Sequence, residues 1–160
     1  MTTRVVLLAA GVTALSGCAP QSAVLADGRH FGYVRSVDTS ASPPTIAVDT
    51  AAFLTGDEAD RAAVKAGTVT EGEEAPNDYF VRNEHSLVIE MPVADGVRVR
   101  RIQCAPECAD DLPGTFEGFA AAFEAGGTPS LADEYRGAAS QYWITVEGGE
   151  VVAIEEQYLP

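Results

Sequence analysis

The stretch Tyr142–Tyr158, YWITVEGGEVVAIEEQY, constrains the fold of this chain more than any other. Two runs rich in β-branched and aromatic residues flank Gly148-Gly149, a pair suited to the positive φ angles of a two-residue hairpin turn. Counting outward from that turn sets Glu147 opposite Glu150, Val146 opposite Val151 and Trp143 opposite Ile154. Apolar residues stand on both faces at mid-length, so the hairpin is expected to be covered on both sides. The facing glutamates repel at close range and belong at a solvated tip.

The rest of the chain supplies partners for that hairpin. Phe31–Val37 (FGYVRSV) reads as a strand with Phe31, Tyr33 and Val37 on one face, broken by SASPP and returned by Thr45–Val48 (TIAV). A helix follows, with Thr55 as N-cap and Glu58 completing a capping box. Ala59, Ala62, Ala63 and Ala66 form its small-residue face, and Gly67 ends it. Thr68–Pro76 (TVTEGEEAP) is an acidic loop. Asp78–Arg82 is a short extended piece. Leu87, Ile89 and Met91 alternate in the next strand, and Val97 and Val99 resume the alternation after a turn at Asp95-Gly96. Thr115 is a second N-cap, and Phe116, Phe119, Ala120 and Phe123 recur at helical spacing. Gly126-Gly127 stops this helix. The order β-β-α-β-β-α-β-β predicts an α+β fold: a small, mainly antiparallel, barrel-like sheet with two covering helices. A helix between the central strands and a final hairpin resembles the connectivity of an OB-type barrel. An open α+β sheet is the competing architecture.

The N-terminus does not belong to that domain. One basic residue, Arg4, precedes the eleven-residue apolar run VVLLAAGVTAL, which is short for a membrane span and suited to a signal sequence. Leu15-Ser16-Gly17-Cys18 then resembles a bacterial lipobox. This divides the chain into a lipoprotein signal peptide (1–17), a tether from lipidated Cys18 (18–26) and one globular domain (27–160). Each acyl methylene buried contributes about 0.8 kcal/mol, so two or three chains, palmitate among them, hold a protein firmly to the extracytoplasmic face of the cell membrane. Without Arg4, nine basic side chains face 24 acidic ones. That balance disfavours nucleic acid, which calls for a basic stripe. The basic residues cluster once, at Arg98, Arg100 and Arg101.

Cys104 and Cys108 remain, in CAPEC. In an oxidising envelope they read as a local disulfide, with free thiols or a metal or redox site as alternatives. The chain has two histidines, and no hydrolase elbow, zinc-protease, phosphate-loop, dinucleotide or EF-hand motif occurs. No catalytic residue, metal ligand or cofactor is therefore assigned. His30 reads as a strand end. The crowded segment APNDYFVRNEH offers Asp78, Asn83 and His85 as a candidate ligand-binding set. A histidine oriented by a carboxylate is the skeleton of a general base, but no nucleophile accompanies it, and a Pro-Asn turn explains the same residues. Glu71, Glu73, Glu74 and Asp78 form an irregularly spaced acidic loop.

DGRHFGYVRSVD, LTGDEA, PNDYFVRN and WITVEGGEVVAIEEQYLP together resemble a family of small secreted proteins and lipoproteins of actinobacteria. The resemblance runs from Asp27 to Pro160 and implies an envelope location and a shared fold; it transfers no catalytic residues. The expectation is a membrane-anchored, non-enzymatic domain that binds an envelope protein or small ligand. The alternatives are a hydrolase-type enzyme using His85 with a nearby carboxylate, and an acidic module that binds divalent cations.

Overall fold

A computed structural model describes residues 24–84, 86–104, 108–124 and 137–159; the side chains of 103–104, 108–111 and 124 lie outside that description. Seven strands and two helices follow in the order β1 (Gly28–Asp38), β2 (Thr45–Thr55), α1 (Asp57–Ala66), β3 (Tyr79–Arg82), β4 (Val88–Cys104), β5 (Cys108–Gly114), α2 (Phe116–Glu124), β6 (Gln141–Glu147) and β7 (Glu150–Gln157). β1 pairs antiparallel with β2 and β6, β2 with β4, and β6 with β7; a parallel pairing of β4 with β7 closes the ring. The result is the α+β barrel anticipated from the sequence, a closed five-stranded mixed barrel with two helices. Numbered in chain order, its strands run 1-2-3-5-4 around the barrel, an OB-type connectivity. β3 and β5 extend it along the second halves of β2 and β4.

The interior is filled with apolar side chains. Val34, Ile46, Val48, Met91, Ile144 and Ile154 are fully buried in one core. Each such side chain contributes about 1.5–3 kcal/mol through burial. The phenylalanine stripe of α2 packs onto this core as expected. Phe119 meets Tyr142 edge-on at 5.4 Å, and Thr115 caps the helix by accepting the Gly118 N–H at 3.1 Å. α1 lies over a satellite cluster in which Ala59, Ala63 and Ala75 are buried beside Leu54 and Phe80. Ala66 faces solvent instead of extending that face.

The structure corrects four local expectations, each because the sheet continues where local signals point to a break or to unshifted alternation. Thr55 does not cap α1: it stays in the β2 ladder opposite Tyr79, and Gly56, at φ 55°, makes the corner. Asp95-Gly96 does not turn the chain back. β4 runs straight through it, and the extra residues are absorbed as an irregularity against β7 between Val93 and Arg98, with Gly96 at φ 73°. A bulge between Val34 and Ser36 changes which side chains face inward. Val34 and Val37 therefore share the interior, while Phe31 turns outward to Phe53 and Trp143, each ring 5.0 Å away. In the terminal hairpin Glu147–Glu150 and Val146–Val151 pair as counted, but a bulge beyond them sets Trp143 opposite Glu155, not Ile154. β5 was not anticipated, because Asp110, Asp111 and Pro113 hide its strand pattern.

Candidate functional site

Asp49 interrupts the apolar run TIAVDTAAF of β2. Alternation points Val48 into the barrel and Asp49 out of it, yet Asp49 is fully buried. It lies under the Arg35 side chain from β1 and the segment that carries the chain from β3 to β4. Its Oδ2 accepts hydrogen bonds from Arg35 Nε at 3.1 Å, from Arg35 Nη2, and from Asn83 Nδ2 at 3.2 Å. The Arg35 guanidinium also sits 4.7 Å from the centre of the Tyr33 ring, and Tyr33 is the cross-strand partner of Asp49.

Burial alone would raise the Asp49 pKa. Hydrogen bonds from Arg35 and Asn83, with Ser86 close by and the Arg35 charge, outweigh it and hold the carboxyl below its ordinary value. A carboxylate so stabilised is a poor general base at neutral pH. Its evident work is to tie the β3–β4 segment to the barrel wall.

Among the described residues, no donor meets two buried acceptors of this cluster: Asp49 Oδ1 and Asn83 Oδ1. Asn83 also lines an open hollow of about 460 Å³, with Thr50, Ala51, Ala52, Arg82 and Glu84. Lys65 reaches from α1 to Glu84 at 3.1 Å.

The sequence-derived set divides accordingly. Asn83 is drawn into the cluster. Asp78 is exposed on a 3-10 turn before β3, at φ 60°, and the four residues of β3 stand between it and Asn83, roughly 16 Å of extended chain. His85 lies outside the described residues, as does Cys18. The β4–β5 register sets Cys104 opposite Cys108, but the disulfide assigned to them rests on side chains outside the description. Glu71, Glu73 and Glu74 are exposed, and Glu73 is used locally, accepting the Thr70 N–H at 2.8 Å. Among the described residues no group of three acidic, histidine or cysteine side chains is placed to hold a metal. His30 binds the Ala26 carbonyl at 2.7 Å, in keeping with a strand end. Asp49 and Arg35 were missed by sequence reasoning. The available signal was a carboxylate inside a run otherwise fit for burial, which obliges a partner somewhere in the fold.

Comparison of the chain with protein-family models, with curated proteins and with solved structures finds no match.

Proposed function

We propose that this is a lipid-anchored protein of the bacterial envelope whose barrel is a non-enzymatic binding domain, with Asn83 and Asp49 at the centre of its ligand contact. The observation that carries the binding part is the pair of buried acceptors, Asp49 Oδ1 and Asn83 Oδ1, beside the hollow that Asn83 lines. Buried acceptors are normally satisfied, so their chemistry suits a small ligand that presents hydrogen-bond donors. A neutral donor is favoured over a cation, because Arg35 already balances Asp49. The packed barrel interior leaves the outer surface for recognition. The anchoring part rests on Leu15-Ser16-Gly17-Cys18 after an apolar run.

Growth with a fatty-acid analogue should label the chain, and Cys18→Ala should abolish the label; label retained in that variant rejects the anchor. For binding, a melting-temperature screen of neutral amides and polyols should give hits that raise the wild-type Tm and lose their effect in Asn83→Ala. Hits that act equally on both proteins would place recognition elsewhere.

A further inference from the structure

We infer that the outer face running from Asn83 across Ala51 to Phe53 and Tyr79 is a saccharide subsite, which takes a neutral sugar with its apolar side on the aromatic rings. This rests on the Asn83 hollow being a ligand site, and it names the ligand class.

Strand alternation and register build this face. Asp49, Ala51 and Phe53 point the same way from β2. Phe31 is the partner of Ala51 on β1, and Trp143 the partner of Phe31 on β6. Tyr79 on β3 is the partner of Thr55, two residues past Phe53. Four rings from four strands therefore meet on the outside of the barrel wall. The Phe53 ring centre lies 5.0 Å from that of Phe31, 5.4 Å from Tyr79 and 5.9 Å from Trp143. Phe31, flanked by Phe53 and Trp143, is only 4% exposed, while Phe53, Tyr79 and Trp143 stay half-buried. Neither helix covers them. α1 packs on the opposite face, against Leu54 and Phe80, and the α2 phenylalanines join the barrel core.

The chemistry of the face selects its ligand. Ring centres 5.0 to 5.9 Å apart are in contact, so no cation fits between them as in an aromatic cage, and Arg29 already covers Trp143 at 4.3 Å. What remains is an apolar surface at Phe53 and Tyr79, whose planes lie within 23° of each other. The negative faces of such rings attract polarised C–H groups. Two residues back along β2, or roughly 7 Å, the hollow opens at Ala51, with Asn83 in its wall. The polar end of the face is short of donors: Asp49 Oδ1 and Asn83 Oδ1 have none among the described residues. A proline-rich peptide would stack on the rings but brings no N–H at its prolines. A nucleotide brings donors together with phosphates, which a chain of net charge −14 repels. A neutral sugar brings a C–H face for the rings and hydroxyl donors for the acceptors, a division that matches the two ends of this face.

Trp143, the single tryptophan, touches Phe53 and reports on occupancy of this face. The full-length chain in phosphatidylcholine vesicles would be titrated with the linear hexaoses of glucose, mannose and N-acetylglucosamine, followed by Trp143 emission. At least one should bind, with an affinity about fivefold lower in Tyr79→Leu and in Phe53→Leu, and lower also in Asn83→Ala. Leucine keeps an apolar contact, so a packing role alone would leave the affinity unchanged; the Tm without sugar checks the fold. Should Phe53→Leu fail to fold, Tyr79→Leu, at the end of the ring cluster, decides. A hexaose bound equally by wild type and Tyr79→Leu but lost in Asn83→Ala overturns this inference and leaves the hollow as the site. So does an absence of binding by all three hexaoses while neutral amides still stabilise through Asn83. Decaproline binding that depends on Tyr79 and not on Asn83 would assign the rings to a peptide and overturn it too. If no amide, polyol or hexaose acts through Asn83, the ligand-site reading falls, and this one with it.

Discussion

Two buried carboxylates each tie separate parts of this barrel to one another, and the described partners of the two differ. Asp49, on the outer wall, is met by a cation: Arg35 neutralises it, and Asn83 adds a neutral donor. Glu156, near the other end of the chain, is met among the described residues by the Ile102 N–H, on Oε2 at 3.0 Å, and by the Ser140 hydroxyl, on Oε1 at 2.6 Å. The Arg35 side chain remains 44% exposed, so part of its charge is still solvated and its partnership with Asp49 is screened. Ile102 and Ser140, which donate to Glu156, are themselves buried and cannot turn to water. The difference separates two kinds of dependence. The Asp49 cluster couples a surface segment to the barrel and responds to pH. The Glu156 cluster joins three parts of the interior, namely β4, β7 and the entry to β6.

The largest effect should come from the seat of Asp49. A Cβ on Gly32 would lie 2.3 Å from the Asp49 carbonyl oxygen, so β1 and β2 approach this closely only with glycine there. Gly32→Ala should cost about 3 kcal/mol, read as a lower urea midpoint, because the clash is with backbone that cannot swing away. An unchanged midpoint would show that the two strands separate without penalty. Asp49→Ala should cost about 2 kcal/mol, less than a fully interior pair, since Arg35 can return to water. In a double-mutant cycle the added loss on Arg35→Ala should be small, and full additivity would show that the two side chains do not interact. Glu156→Gln should cost about 1–2 kcal/mol, because the amide keeps one acceptor but turns an N–H₂ toward a buried donor. If it matched wild type, the Ile102 and Ser140 bonds to Glu156 would be dispensable and the contrast would fail.

The smallest effect is in pH. A folded-state pKa below the ordinary 3.8 means that the Asp49 contribution is full above that value and is lost as pH falls through the lower folded value. Wild-type stability should therefore fall in acid below about pH 4, and Asp49→Asn should show a shallower fall. Asp38 and Glu73 are shifted the same way by local turn hydrogen bonds, so some slope should persist in the variant. A variant as steep as wild type would remove Asp49 from the acid response.

The candidate site was half legible. Asn83 stood out because it lies in a polar cluster after a short strand, and it does reach the buried carboxylate. Asp78 looked equally good in sequence but was carried away by the extended β3, since adjacency along the chain gives no guarantee of adjacency across a sheet. Asp49 and Arg35 are 14 positions apart and meet only because β1 and β2 pair in one particular register.

Local chemistry was enough to determine the Gly148-Gly149 turn, the Phe116–Phe123 face, the Thr115 cap and the α+β barrel class, because each depends on spacing or backbone freedom within a few residues. Tertiary structure alone decided the bulges in β1, β4 and β7, the loss of the Thr55 cap and the burial of Asp49. Those outcomes follow from closing five strands into one barrel. Closure shifts registers and extends ladders past local stop signals, and the hydrogen bonds it satisfies outweigh the turn and cap preferences of single residues.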